Sequence, residues 1–159
     1  MSTILSRANE LATLYSAFPN VESVILAGSQ ASGSSLESSD IDLYVYSTES
    51  IPISSREQIA RKYSDSIEIN NSFWEQGDEW FDSLLKIGVD VMYRNPEWIE
   101  KKLDLVLQHF EASVGYSTCF WYNVLNSKIL FDRKGWFERL QKSVSIPYPE
   151  ELRQAIVAI

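Results

Sequence analysis

Cysteine and long apolar runs are nearly absent from this chain of 159 residues. The single cysteine, Cys119, excludes an internal disulfide and a cysteine-rich zinc site. No segment approaches the roughly 18 consecutive apolar residues of a transmembrane helix, and the N-terminus lacks the basic, apolar and small-residue sections of a signal peptide. These absences predict a cytoplasmic protein that does not bind a membrane.

Basic residues are also scarce, with 14 Lys and Arg against 22 Asp and Glu, and the net charge is −8. Because this charge repels a phosphate backbone, we expect no long nucleic-acid partner. Apolar residues make up 45% of the chain, which is typical of a single domain of this length with one hydrophobic core.

Strand-like and helix-like segments alternate along the chain, which predicts an α+β fold, an α/β sandwich with a small mixed β-sheet. An aromatic segment at residues 73–81 is interpreted as core packing or a lid. The predicted strands are residues 21–27, 41–47, 66–70, 89–94 and 129–132, and the predicted helices are residues 3–18, 32–36, 54–63, 96–110, 117–128 and 135–144, with one more beginning at 149.

Two aspartates stand one residue apart at the start of a predicted strand, in the segment SSDIDLYVYS. Residues two apart on a strand point to the same side, so Asp40 and Asp42 share one face while the apolar residues that alternate with them face the core. Carboxylates this close repel each other unless a cation lies between them. The pair is therefore typical of a divalent-metal site, and Mg²⁺ needs few protein carboxylates.

A third carboxylate, Asp90, interrupts the apolar segment GVDVMYR. If its strand is a neighbour of the Asp42 strand, all three carboxylates meet on one face of the sheet. Gly28 and Ser29 end the first strand, where glycine permits close approach of a phosphate, serine offers a hydroxyl and an N–H, and a following helix adds partial positive charge. Together these groups suit attack of a hydroxyl on a nucleotide phosphate.

The spacing of these motifs resembles the DNA polymerase β-like nucleotidyltransferase superfamily. In AGSQASGSSLESSDIDLYV a Gly-Ser pair precedes an Asp-x-Asp strand by ten residues, and GVDVMYR carries a later third acid. The chain is most similar to small bacterial members, a group that includes kanamycin, lincosamide and minimal nucleotidyltransferases. The segments GYSTCFWYNVLNSKILFDRKGWFERLQ and IPYPEELRQAI extend the resemblance over nearly the whole chain.

The resemblance implies a Mg²⁺-dependent enzyme that moves a nucleoside monophosphate, AMP above all, from ATP or another nucleoside triphosphate to a hydroxyl of a small-molecule acceptor. An aminoglycoside-like or lincosamide-like antibiotic is one such acceptor. Asp40 and Asp42 would bind two Mg²⁺ ions, and Asp90 would bind the catalytic one and help to deprotonate the acceptor. Gly28 and Ser29 would hold the β- and γ-phosphates. Two alternatives stay open: a non-catalytic, antitoxin-like partner protein and a protein-AMPylating enzyme.

The chain departs from the family pattern after Gly-Ser, where many relatives have an arginine and this chain has Gln30, Ala31 and Ser32. Either another cation meets the triphosphate charge, with Lys128, Arg133 and Arg94 as the candidates, or nucleotide binding is weaker. We expect residues 1–145 to form the catalytic domain and residues 146–159 to begin a helical segment. The acceptor is then small, or a homodimer or partner subunit completes its site, or the chain is a fragment.

Four further residues have simpler interpretations. Glu68 is expected on an exposed edge strand, although an adjacent strand could bring it to the site. His109 is expected at the surface near a helix C-terminus, Cys119 in the interior, and Asp132 in a turn that ends a strand rather than at a metal.

Overall fold

The computed structural model describes residues 3–27, 40–71, 76–110 and 119–157. In these ranges the chain forms six helices and six strands. In chain order they are α1 (Thr3–Ser16), β1 (Val21–Ala27), β2 (Ile41–Ser47), α2 (Ile53–Arg61), β3 (Ile67–Asn71), β4 (Gly77–Asp82), β5 (Ile87–Arg94), α3 (Pro96–Leu107), α4 (Cys119–Asn126), β6 (Lys128–Asp132), α5 (Trp136–Ser143) and α6 (Glu150–Val157).

The six strands form one sheet in the order β3-β4-β5-β2-β1-β6. Strands β2 and β5 are parallel, and the other neighbours are antiparallel. The predicted α+β fold with a mixed sheet is therefore confirmed. Within the described ranges, no helix combines the length and the apolar character that crossing a membrane requires.

Helices cover both faces of the sheet and bury a separate apolar cluster on each. Residues of α1 and α2, among them Leu11 and Ile59, pack against Ile41, Leu43 and Val45 of β2. These three β2 side chains are fully buried, as their alternation in the sequence predicts. Helices α3 to α6 pack on the opposite face, where the even-numbered residues of β2 point.

Two polar side chains fix where helices on that second face begin. Asn95 accepts a 2.8 Å hydrogen bond from the backbone N–H of Glu97 and precedes Pro96, so α3 begins with both an N-cap and a proline at its first position. Asp132 accepts hydrogen bonds from the backbone N–H groups of Phe137 and Glu138. The interpretation of Asp132 as the residue that ends a strand in a turn is thus confirmed.

Strand β4 is the element that the sequence analysis does not predict. Its residues Asp78 and Asp82 are buried, which breaks the expected alternation of apolar and polar side chains. Arg56 of α2 bonds Asp78 through Nε at 2.9 Å, and Arg7 of α1 bonds Asp82 through Nε at 2.8 Å. A buried carboxylate is tolerated when a cation and hydrogen bonds compensate it. The arginines of α1 and α2 therefore allow β4 to bury its two aspartates.

Three other predictions concern the exposure of His109, the burial of Cys119 and a short helix at residues 32–36. His109 is exposed, as expected, with its Nε2 3.2 Å from a carboxylate oxygen of Asp104. The prediction that Cys119 is buried is wrong, because Cys119 is exposed at the start of α4. The residues that this helix buries are Trp121 and Val124. The predicted helix at 32–36 lies outside the described residues.

Candidate active site

The parallel pairing of β2 and β5 brings two of the predicted carboxylates together. Asp42 lies directly opposite Asp90 in this pairing, and facing residues on neighbouring strands point to the same side of the sheet. Both side chains are part-buried, whereas their neighbours Ile41 and Val89 are fully buried on the other face. The expectation that these strands are neighbours is confirmed.

Repulsion and burial change the protonation of this pair. Burial, followed by the charges of Asp90 and Asp40, raises the pKa of Asp42 to about 6. Burial also raises the pKa of Asp90, with the charges of Glu79 and Asp40 adding to it. A hydrogen bond between the two carboxyl groups favours the proton on Asp42. At neutral pH the site therefore concentrates negative charge that a cation would relieve.

Asp40 precedes β2 and is exposed. Its Oδ1 accepts a 3.1 Å hydrogen bond from the backbone N–H of Gly88 on β5. This hydrogen bond links the residue before β2 to β5, the two strands that carry Asp42 and Asp90. The charge of Asp40 raises the pKa of both of these residues.

Glu79 is a fourth acid beside the site that the sequence analysis did not identify. It lies opposite Asp90 in the pairing of β4 with β5, is exposed, and is one of the charges that raise the pKa of Asp90. Glu68 lies opposite Glu79 on β3, which is the edge strand, and is exposed as expected. No alternation of polarity marked β4 in the sequence, because the apolar Phe81 is exposed whereas Asp78 and Asp82 are buried, and Glu79 was missed with the strand.

Three residues are predicted to bind the phosphates, and the structure describes one of them, Lys128. Gly28 and Ser29 lie outside the described residues, although Ala27, which Gly28 follows in the chain, pairs with Asp42. Lys128 is exposed at the start of β6 and pairs with Leu26, whose side chain belongs to the face opposite Asp42. The structure therefore does not bring Lys128 to the carboxylates, and its role stays a prediction.

The other two candidate cations contact aromatic rings and polar groups of the fold. Arg94 is four residues from Asp90 along β5, so their Cα atoms are about 13 Å apart at a rise of about 3.3 Å per residue. Its guanidinium lies 3.8 Å from the centre of the Tyr44 ring and donates to the Tyr46 hydroxyl at 3.2 Å. Arg133 donates to three backbone carbonyl oxygens, those of Ser16, Phe18 and Val21. Both cations hold structural elements together.

The donor set fits a hard divalent cation. Among the described residues, no group of three Asp, Glu, His or Cys side chains is arranged to hold a metal ion. Mg²⁺, however, is commonly bound through one or two carboxylates, with waters and substrate phosphates completing its octahedron. Asp42 and Asp90 supply such a pair, and the repulsion between them is the cost that a bound cation would remove.

Comparison with known proteins agrees with this geometry. The family described as "Polymerase beta, Nucleotidyltransferase" matches residues 9–95. The chain belongs to this family. The predicted superfamily is therefore confirmed, and the family is one of nucleotidyltransferases. The matched range contains Asp40, Asp42 and Asp90 and ends before Lys128.

Solved structures extend the likeness beyond the matched range. A nucleotidyltransferase-like protein from Exiguobacterium sibiricum 255-15 superposes with a TM-score of 0.51 at 13% identity, over 92% of this chain and 40% of the other. The chain thus spans 40% of that protein's length, and the likeness shows the fold. A structure described as a toxin-antitoxin with AMP-PNP superposes with a TM-score of 0.43 at 16% identity, covering 86% and 82% of the two chains. No curated protein sequence matches the chain.

Proposed function

We propose that this protein is a cytoplasmic, Mg²⁺-dependent enzyme that transfers AMP from ATP to a hydroxyl group of a small molecule, such as an aminoglycoside-like or lincosamide-like antibiotic. Asp40, Asp42 and Asp90 hold two Mg²⁺ ions, and residues 1–145 form the catalytic domain. The observation that carries the proposal is the direct pairing of Asp42 with Asp90 across β2 and β5, within the range that matches the nucleotidyltransferase family.

The substrates approach the carboxylates from opposite sides of the β2–β5 pair. On one side, β1 lies next to β2 and its last residue, Ala27, pairs with Asp42. Gly28 and Ser29 follow Ala27 in the chain, so we assign the β- and γ-phosphates to that side. On the other side, β4 lies next to β5 and presents exposed side chains beside Asp90. The acceptor therefore binds on the β4 side.

Asp90 is the base of the proposed reaction. Asp90 lies on β5 beside β4, the side assigned to the acceptor, so its carboxylate is the one placed to take the hydroxyl proton. Asp90 takes the proton of the acceptor hydroxyl, whose oxygen bonds to the α-phosphorus. The bond from the α-phosphorus to the bridging oxygen breaks, and pyrophosphate leaves. Bound Mg²⁺ supplies positive charge that stabilises the phosphate oxygens during transfer.

The proposal is tested by incubating the protein with Mg²⁺, ATP labelled at the α-phosphate and a panel of hydroxyl-bearing acceptors, while pyrophosphate release is measured. Asp42→Asn and Asp90→Asn remove one carboxylate each with little change of shape. We expect Asp90→Asn, which removes the base, to lower the rate by about 10²- to 10⁴-fold, and Asp42→Asn to lower the rate by weakening Mg²⁺ binding. Asp104→Asn, on the exposed face of α3, is the matched control and keeps the wild-type rate.

Each other outcome has a defined meaning. Wild-type rates in both site variants would show that these carboxylates do not carry the reaction. Label found in a polypeptide rather than in the acceptor would favour protein AMPylation. If no acceptor supports pyrophosphate release and the protein instead forms a stable complex with another protein, the antitoxin-like alternative replaces the proposal.

A further inference from the structure

The backbone of β5 approaches the carboxylate of Asp40 closely. Ile41, the residue after Asp40, pairs with Val89, the residue after Gly88. Asp40 and Gly88 therefore face each other at the same end of the strand pair, and the Gly88 N–H donates to Asp40 Oδ1 at 3.1 Å. The backbone of β5 therefore holds Asp40 Oδ1, and no hydrogen bond from a described residue to Oδ2 is present.

A side chain at residue 88 would crowd this contact. A Cβ on residue 88 would lie 3.0 Å from Cγ and Oδ1 of Asp40 and 3.1 Å from Oδ2. These three atoms are the nearest ones that the added Cβ would meet, so the space beside Gly88 is filled by the Asp40 carboxylate. The backbone of Gly88 is not in the left-handed region, so a side chain at this position would disturb the close approach of Asp40 and not the chain conformation.

We infer that Gly88 is a positioning residue for Asp40, fixing its carboxylate beside Asp42 and Asp90, with which it would share two Mg²⁺ ions. The inference rests on the proposed function, in which Asp40 is a metal ligand. Carboxylates that bind metals are themselves fixed by hydrogen bonds, and removal of such a partner commonly lowers metal affinity 10- to 100-fold. Here the N–H of Gly88 is that partner, and the missing side chain sets how near Asp40 can lie.

The identity of the cation makes the inference specific. Mg²⁺ requires a nearly ideal octahedron with ligands about 2.0–2.1 Å away, whereas Ca²⁺ accepts variable geometry at about 2.3–2.6 Å. A methyl group on residue 88 would displace the Asp40 carboxylate by a few tenths of an ångström. That displacement is large against the tolerance of Mg²⁺ and small against that of Ca²⁺. A positioning role therefore predicts a loss that is greater for Mg²⁺ than for Ca²⁺.

The test compares the protein with its Gly88→Ala variant, with Mg²⁺ or Ca²⁺ added alone to the metal-free protein. The melting temperature is measured as a function of metal concentration, because a ligand that binds the native state raises stability in proportion to ln(1 + [L]/Kd). We expect Gly88→Ala to need about 10-fold more Mg²⁺ for half of the stabilisation and to show a smaller change for Ca²⁺. Without metal its melting temperature should equal or exceed that of the wild type, since alanine is favoured over glycine in strands.

A double-mutant cycle with Asp40→Ala separates positioning from a general structural effect. If Gly88 acts through Asp40, then Gly88→Ala causes no further loss of Mg²⁺ affinity once Asp40 is alanine. Equal Mg²⁺ curves for wild type and Gly88→Ala, equal losses for Mg²⁺ and Ca²⁺, or a full additional loss in the Asp40→Ala background would overturn the inference and leave the proposed function intact. If the wild type itself shows no stabilisation by Mg²⁺, the proposed metal site fails and the inference fails with it.

Discussion

Asp78 and Asp42 are acids withdrawn from water in the same sheet, but their surroundings are opposite. Asp78 accepts from Arg56 Nε at 2.9 Å, from the Tyr93 hydroxyl at 2.6 Å and from the backbone N–H of Asn70 at 2.9 Å. Asp42 faces another acid, Asp90, in the adjacent strand. The first charge is fully compensated, whereas the second is opposed.

This difference separates an acid that holds the fold from acids that are available for chemistry. Arg56 and Asp78 are both almost completely buried, and the guanidinium of Arg56 also lies 4.2 Å from the centre of the Tyr93 ring. Such a pair leaves no capacity for a further cation. Asp42 and Asp90 have unmet negative charge, which destabilises the metal-free protein and prepares the site for a cation.

The largest expected effect on stability comes from breaking the compensated pair. Asp78→Asn leaves the buried Arg56 charge without its counter-ion, and breaking a buried pair from one side costs about 3–5 kcal/mol. We expect the free energy of unfolding, measured by urea denaturation at pH 7, to fall by about that amount.

Glu57→Gln is the control for this change, because it breaks an exposed pair of the same chemistry on α2. Glu57 accepts from Arg61 at 3.1 Å, and both side chains are about half exposed, at 45% and 54%. Exposed pairs of this kind contribute less than about 1 kcal/mol. Similar losses in the two variants would mean that burial of Arg56 and Asp78 does not set their contribution.

A smaller effect of opposite sign is expected for Asp42→Asn. In the folded protein the pKa of Asp42 is about 6, compared with an ordinary value of 3.8. Between these values the folded state binds more protons than the unfolded chain, so the free energy of unfolding falls as the pH rises from about 4 to about 6. The variant lacks this titration. Without metal, it should therefore be more stable than the wild type above pH 6.

The pH dependence of the difference distinguishes charge from shape. Thermal unfolding of both proteins in a metal chelator, at pH 4 and pH 7.5, should show the advantage of Asp42→Asn only at the higher pH. An equal difference at both values would attribute the change to packing of the amide rather than to removal of the charge. A loss of stability at pH 7.5 would show that the Asp42 carboxylate is compensated in the same way as Asp78.

The contrast between these acids also explains which parts of the molecule were predictable. Alternation of apolar side chains identified β2 and β5, and the spacing of Gly28, Ser29, Asp40 and Asp42 identified the family. These patterns are local, because a strand with one buried face has a period of two. The acids of the candidate site interrupt their strands only once each, so the patterns survive.

Strand β4 was not predictable in this way because its buried positions carry charge. Asp78 depends on Arg56, 22 residues away, and Asp82 depends on Arg7, 75 residues away. Only the folded chain brings these partners together, so residues 76–82 have no local signal of burial at those positions. Missing β4 also hid Glu79, and the register that sets Asp42 opposite Asp90 likewise depends on pairing between distant segments.

Glu79 provides the smallest and most specific effect. Its charge is among those that raise the pKa of Asp90, so Glu79→Gln lowers that pKa toward its ordinary value. If Asp90 is the base, the acidic limb of kcat/KM then moves to lower pH, because Asp90 becomes deprotonated at a lower pH. Glu79 is exposed, and water and salt screen exposed charges, so the displacement is modest and shrinks as salt is added.

Glu68→Gln, one strand farther from Asp90, is the matched control and should move the limb less. Equal displacement by both variants would indicate a general change of surface charge, whereas a displacement specific to Glu79 would extend the unmet negative charge of the candidate site from β2 and β5 to β4.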